Sequence, residues 1–374
     1  MLKSHTQKEL GALNRIVHQL DPGSENPRNS EGSFVTLADK TILFAYSRFT
    51  TSGGDFGSAD IAAIYSHDAG ETWSSDPQII VRNAGGINVM SVSLVRLQDG
   101  RIALFYLVKN SGNDCRPCMR TSTDEGRSWS TPISVIPTPG YFVVNNDRVV
   151  QLKSGRLVIP AAFHRQKTVL DTSWKAVDSR SIMLAFLSDD AGATWRESRS
   201  WWALPVPSNS GLQEPGCVEL TNGHLYGYCR TDTGYQWTTV SRDGGDTWSP
   251  PEPTRFISPN SPLSVKRLPP LEPGVNGHLL AVWNDKSPRF GSRVPPSSPS
   301  ARTPLVSAIS EDEGRTWRHH RLLENDPDSG YCYTALHMLP DACLLAYCAG
   351  SKATGSILNT LRIRRVDYRW LYGT

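Results

Sequence analysis

The chain contains no run of about 18 apolar residues, so no stretch of it reads as a membrane-spanning helix. Its opening, MLKSHTQKELGALNRIVHQ, lacks the apolar segment of a secretory leader. As written, that places the protein in the cytosol, or in the periplasm or outside the cell if a leader has been removed. It also has little excess charge. Lys and Arg number 39 against 36 Asp and Glu, a net charge of +3. That is too small to argue for nucleic acid or a membrane surface as partner. The seven cysteines are an odd number with no spacing that suggests a disulfide framework. Cys115 and Cys118 form a lone CxxC with no second pair to complete a zinc site, and their flanks read as strand rather than helix. The cysteines are therefore expected to be reduced structural thiols, and no metal site is expected.

Tryptophan, glycine and proline are plentiful, at 11, 30 and 26 residues. All three suit a β protein rich in turns. The 374 residues are too many for one ordinary compact core, unless the chain is built from repeats that each pack only on their neighbours.

A repeat is present. The pattern Ser-x-Asp-x-Gly-x-(Thr/Ser)-Trp recurs as SHDAGETW (66–73), STDEGRSW (122–129), SDDAGATW (188–195), SRDGGDTW (241–248) and SEDEGRTW (310–317). Its chemistry is that of a hairpin corner. A strand ends at the Ser, the Asp bonds the backbone of a tight turn, and the Gly takes a positive φ without steric cost. The Trp is expected to restart the next strand and bury its ring between sheets. A second element, LQDGRIAL from Leu97 and LKSGRLVI from Leu152, reads as strand, glycine turn, strand. Units of roughly 50–70 residues, each a small antiparallel sheet, predict a propeller.

The octamer resembles the Asp box of the sialidase (neuraminidase) superfamily, whose catalytic domains are six-bladed β-propellers with the boxes on the outer rim, away from the site. The resemblance implies an all-β, six-bladed propeller filling residues 1–374 as one domain, with the segment 1–24 helping to close the last blade. It also implies a set of site residues. A carboxylate-bearing sugar needs fixed cations, and the planar fork of Arg pairs bidentately with a carboxylate. Arg28, followed 20 residues later by Arg48, resembles the family's first arginine and its companion in the same blade. The family's Ile-Pro after that first arginine is missing. Asn29 and Ser30 stand there, then Glu31, a carboxylate that would weaken the hold of Arg28 on an acid. Asp55, in the loop TSGGDFGSAD, resembles the acid/base aspartate. Glu214 and Glu219 match the Glu-x-x-Val-Val-Glu-Leu motif, with Glu214 as the proton acceptor. Arg230 and Arg302 match the second and third clamp arginines. The nucleophilic tyrosine lies in SGYCYTALHML. Tyr333 is favoured by Leu336 and Tyr331 by Gly330, and residues i and i+2 of a strand share a face. Two further polar segments, around Asn88 and around Asp147 and Arg148, are candidates to read the rest of the sugar; a structural ion pair is the competing reading of Asp147 and Arg148.

The implied reaction is an exo-α-sialidase hydrolysis that retains configuration. Tyr333 attacks, Glu214 takes its proton, Asp55 serves as acid and then base, and no metal or organic cofactor is required. The expected partner is an acidic sugar or sialoglycan substrate, with neither nucleic acid nor membrane. A hydrolase or lyase on a deaminated sialic acid or a uronic acid stays open, favoured by the change at Asn29, Ser30 and Glu31. A propeller that binds glycans without catalysis is the third reading.

Overall fold

Every octamer ends a strand at its serine, in Ala59–Ser66, Asp114–Ser122, Val177–Ser188, Tyr235–Ser241 and Leu305–Ser310. In the computed structural model, which describes residues 11–168, 170–171, 173–270, 272–291 and 302–373, the corner is the same each time. The Ser Oγ donates to the Asp Oδ1 and accepts from the Gly N–H. The Asp carboxylate then accepts from the N–H and hydroxyl of the Thr or Ser four residues on. Not only the glycine but also the residue before it is left-handed: Ala69, Glu125, Ala191, Gly244 and Glu313 have φ of 56–69°. Two consecutive left-handed residues fit the right-handed twist of a hairpin. The Trp does not restart a strand as expected. The next strands begin after it, at Gln78, Ile133, Arg196, Glu252 and Arg318. The tryptophan is held instead by the turn itself: Trp73, Trp195 and Trp248 donate their indole N–H to the box glycine's carbonyl.

The described strands form five sheets. Three are four-stranded meanders: Arg28–Thr36 to Gln78–Val81, Gln213–Glu219 to Glu252–Ile257, and Ser264–Arg267 to Arg318–Glu324. A fourth runs Cys332–Met338, Ala342–Cys348, Leu361–Asp367 and is completed by the N-terminal strand Asn14–Leu20, paired antiparallel to Leu361–Asp367. The segment 1–24 thus contributes a strand to this sheet from Asn14 onward; residues 1–10 lie outside the described part. This also explains why the last sheet has no octamer. Its third and fourth strands are not joined by a hairpin, so there is no corner to build. The fifth sheet has nine strands. Two meanders are spliced where Tyr141–Val143 pairs antiparallel with Leu157–Gln166 and touches Asp114–Ser122 in parallel through Tyr141 and Cys115.

The octamers also join the sheets. A Cβ on Gly70 would lie 2.7 Å from Leu344, in the last sheet, and one on Gly126 would lie 3.2 Å from Leu43, in the first. The contact works as a joint only because the glycine presents bare backbone to its neighbour. Gly192 and Gly245 meet Met119 and Leu187 in the same way, each in the preceding unit. At the other end of the sheets the inner strands face one another: Arg28–Thr36 packs on both Asn88–Arg96 and Cys332–Met338, and Gln213–Glu219 packs on Leu157–Gln166 and Ser264–Arg267.

Four of these inner strands share a defect. Each breaks its register once, between Ser30 and Ser33, Met90 and Ser93, Gln213 and Gly216, and Cys332 and Ala335. Within each break sits a left-handed residue other than glycine: Glu31 (φ 55°), Ser91 (60°), Glu214 (44°) and Tyr333 (58°). A bulge re-aims a side chain, and left-handed backbone in larger residues is a strain that collects at functional sites.

Candidate active site

The four bulged residues, Glu31, Ser91, Glu214 and Tyr333, line one cavity of about 260 Å³. Room for the bulges is made by glycine: a Cβ on Gly32 would sit 2.3 Å from Phe44, and one on Gly216 would sit 2.5 Å from Tyr228. Asp55, Arg230 and Arg302 share the cavity wall with Lys109, Tyr141, His164 and an apolar patch that includes Met90, Leu107 and Val143. The volume lies just under the range of roughly 300–1,000 Å³ for small-molecule sites.

The reacting geometry centres on Tyr333. Its hydroxyl donates to Glu214 Oε1 at 3.3 Å. Arg230 Nη1 holds the same oxygen at 2.7 Å, and Nε of Arg230 donates to Asn260 Oδ1 at 2.6 Å. Arg302 lies over the Tyr333 ring, 5.2 Å from its centre. Its Nη1 rests on Cys332 Sγ at 3.0 Å, and its Nε is buried with no partner among the described residues. Burial first, then the nearby Glu214, push the phenol above its ordinary value, while Arg302 and Arg230 pull it down. The tyrosine therefore rests neutral, with its hydroxyl hydrogen-bonded to Glu214. Tyr331 lies elsewhere. It is buried against Tyr347, with ring centres 6.2 Å apart, and its backbone N–H donates to Arg302 O. Alternation predicts a shared face for the two tyrosines. The bulge at Tyr333 breaks that alternation and separates them.

Asp55 stands at the mouth with its side chain 57% exposed, ion-paired to Arg28 Nη1 at 2.5 Å. Burial would raise its carboxyl, but Arg28 and then Lys109 hold it below the ordinary carboxylate range. Its loop is pinned through the backbone: the Asp55 carbonyl accepts from Asn88 Nδ2 at 2.9 Å and from Lys109 Nζ at 2.8 Å. Asn88 is thus an anchor of this loop rather than a reader of the sugar.

Other expected site residues also do not join the cavity wall. Arg28 is adjacent but sunk behind Asp55 and Glu31, 1% exposed, with its guanidinium 4.4 Å over the Phe49 ring. Arg48 faces away. In the register Arg28 pairs with Phe49 and Arg48 with Asn29, so the two arginines fall on opposite faces of the sheet. Asp147 and Arg148 do not pair with each other. Asp147 binds Lys266 at 2.7 Å, Ser33 Oγ and the Leu336 N–H. Arg148 donates to the Leu263 carbonyl at 2.7 Å and lies over the Tyr228 ring. Both tie inner strands together. Glu219, the second glutamate of its motif, accepts from the Lys153 N–H at a turn.

Several wall residues carried no motif. Lys109, Tyr141 and His164 sit in strands that read as ordinary β sequence. His164 is bound through Nδ1 to the Asp178 carbonyl at 2.9 Å, and burial lowers its pKa. The legible trace was the polar interruption of otherwise apolar inner strands, as in RNSEGSFV and NVMSVSLV.

Comparison with known proteins agrees with this picture. A family model described as the BNR repeat-like domain matches residues 40–345. The sialidase of Micromonospora viridifaciens is 27% identical over 340 residues, covering 83% of this chain and 48% of that protein. The anhydrosialidase of Macrobdella decora is 27% identical over 270 residues, 65% of this chain and 31% of that one. The chain thus spans about half or less of the length of these relatives. Among solved structures, the NanB sialidase of Streptococcus pneumoniae superposes with a TM-score of 0.72 at 16% identity, over 98% of this chain and 73% of that one. A leech intramolecular trans-sialidase complexed with 2,7-anhydro-Neu5Ac gives 0.71 at 16% identity, over 99% and 73%. An all-β fold of stacked meanders with an Arg, Tyr, Glu and Asp cavity defines the class. The chain belongs to the BNR repeat family within the sialidase superfamily.

Proposed function

We propose that this chain is a retaining glycoside hydrolase, an exo-α-sialidase that removes a terminal carboxylate-bearing sugar. One observation carries the reading: a half-buried Tyr333 hydroxyl on Glu214, under Arg230 and Arg302, in one cavity with Asp55. Arg230 and Arg302 take the sugar's carboxylate. Asp55, ionised at rest beside Arg28, takes up a proton from water as the substrate binds. Tyr333 Oη then bonds to the anomeric carbon as its proton passes to Glu214, and Asp55 gives its proton to the departing oxygen. In the second half, Asp55 takes a proton from the attacking water. The bond to Tyr333 then breaks, and the phenol recovers its proton from Glu214. A neutral tyrosine suits an anomeric centre that bears a carboxylate, because an anionic nucleophile would be repelled.

The same reading takes the nine-stranded sheet as two blades, which makes the chain a single six-bladed propeller domain. The octamer joints running from each unit to the one before, including Gly70 to Leu344 across the ends of the chain, support a closed ring. A second substrate, a deaminated sialic acid or a uronic acid, is favoured by one feature: Glu31 projects into the cavity beside Arg28. Release of aglycone from fluorogenic glycosides of sialic acid, its deaminated analogue and uronic acids tests both. Turnover of the first supports the exo-sialidase, and turnover of a uronide alone replaces it.

A further inference from the structure

We infer that Arg28 is not an arm of the carboxylate clamp but a fixed cation that holds Asp55, with Glu31 as its positioning residue, so that Arg230 and Arg302 alone take the substrate's acid group. The inference rests on the hydrolase reading of the same cavity and names how its acid group is recognised.

A guanidinium has five N–H donors, and clamping a carboxylate takes two of them side by side. Arg28 has already committed four. Nε donates to Ser30 Oγ at 2.9 Å, and Nη1 to Asp55 Oδ1 at 2.5 Å and to the Gly53 carbonyl at 3.3 Å. Nη2 donates to Glu31 Oε1 at 2.9 Å. Its plane is packed on Phe49 and 1% of the side chain is exposed, so no edge of the fork meets the cavity. Arg302 is the opposite case, a cavity-lining guanidinium whose Nε has no partner among the described residues.

Glu31 is built for the holding task. It is 4% exposed, it stands on a left-handed backbone, and its second oxygen accepts a very short bond from Ser91 Oγ, itself a bulged residue. One cation therefore serves two carboxylates. Glu31, rigid and buried, sets where Arg28 sits, and Arg28 sets where the exposed Asp55 carboxylate sits. The other charges facing Asp55 are Lys109 and Arg302. Taking the negative charge from Glu31 leaves Arg28 to Asp55 alone, so Asp55 must hold its ionised form more strongly.

Two measurements on the full chain test this. The first is a carbon-13 titration of the Asp55 carboxyl without ligand, assigned with Asp55→Asn, in wild type, Glu31→Gln and Ser91→Gly. Glycine accepts the φ of 60° at position 91 and removes the hydroxymethyl group, and with it the bond to Glu31, so it is the variant that folds if Glu31→Gln does not. The Asp55 midpoint is expected to fall in Glu31→Gln and to fall by less in Ser91→Gly. A midpoint unmoved in both overturns the assignment. The second is calorimetric binding of a 2,3-unsaturated sialic acid analogue that keeps the carboxylate. Glu31→Gln is expected within about threefold of wild type and Arg302→Ala at least tenfold weaker. A tenfold change in Glu31→Gln, in either direction, makes Arg28 a clamp arm and overturns the inference. If wild type does not bind the analogue, the sialic acid reading of the cavity fails, and the Asp55 titration still decides the roles of Arg28 and Glu31.

Discussion

In the proposed mechanism Tyr333, Glu214 and Arg302 have separate parts, and single substitutions tell them apart. Tyr333→Phe removes the nucleophilic oxygen and leaves both arginines, so affinity for an acidic sugar should hold while turnover falls by roughly 10³-fold or more. Calorimetry beside a turnover assay checks this. Arg302→Ala removes a charge-assisted fork worth about 1.5–3 kcal/mol, which is a loss of roughly 10- to 150-fold in affinity. Equal affinity in that variant would remove Arg302 from the clamp. His337 is a residue of stability rather than chemistry. It stacks on Phe34, bonds Thr36 Oγ1 at 2.8 Å and faces Lys266 and Asp147. Burial, then Lys266, lowers its pKa from 6.5 to about 4. A lowered histidine is neutral in the fold and protonates more readily unfolded, so its contribution is intact above pH 6.5 and is lost as pH falls toward 4. The loss is on the order of 2 kcal/mol, discounted for the part of the ring that water reaches. His337→Gln should flatten the fall in melting temperature between pH 6.5 and 4 relative to wild type. An unchanged slope contradicts it.

At the scale of elements, the hairpin corner was open to reading because its chemistry is local: Ser, Asp, Gly and Thr bond one another within eight residues. The Trp deceived because in three of the five octamers its indole N–H serves the turn, and in none does it start the next strand. The cavity wall was legible where a residue type has few other uses, as with Asp55 in its glycine loop or Glu214 ahead of Arg230. It was illegible where a bulge decided the outcome. Alternation places Tyr331 and Tyr333 on one face and gives no cause to aim Glu31 inward, yet one extra residue in each strand redirects both. Arg48 shows the converse, since only the pairing of Arg28 with Phe49 reveals that it faces the other way. The joint function of the corners gives a prediction. Gly70 has φ 85° and a Cβ there would meet Leu344 at 2.7 Å. Gly70→Ala should cost about 1–3 kcal/mol and lower Tm by roughly 1–4 °C, leaving KM unchanged. Calorimetric melting with parallel kinetics checks it. A variant as stable as wild type would mean that the corner carries no load between sheets.

At the scale of the whole molecule, stability depends on joining the two ends of the chain. Asn14–Leu20 supplies the outer strand of the last sheet, and Arg364, beneath it, binds Asn14, Tyr347 and Glu324. Deleting residues 1–20 should expose the Leu361–Asp367 edge and lower Tm by more than about 10 °C, because no other strand can take its place. Scanning calorimetry of the truncated chain reads this directly. The catalytic proposal depends on the same long-range pairing, since the cavity draws its walls from strands as distant in sequence as those of Glu31 and Tyr333. Its most direct test is to trap the glycosyl enzyme with a 3-fluoro sialosyl fluoride and to locate the adduct by peptide mass spectrometry. The mass of one sugar is expected on the peptide containing Tyr333, and it should be absent in Tyr333→Phe. An adduct on Asp55 or Glu214, or turnover of sialosides with no adduct on Tyr333, would contradict a tyrosine nucleophile.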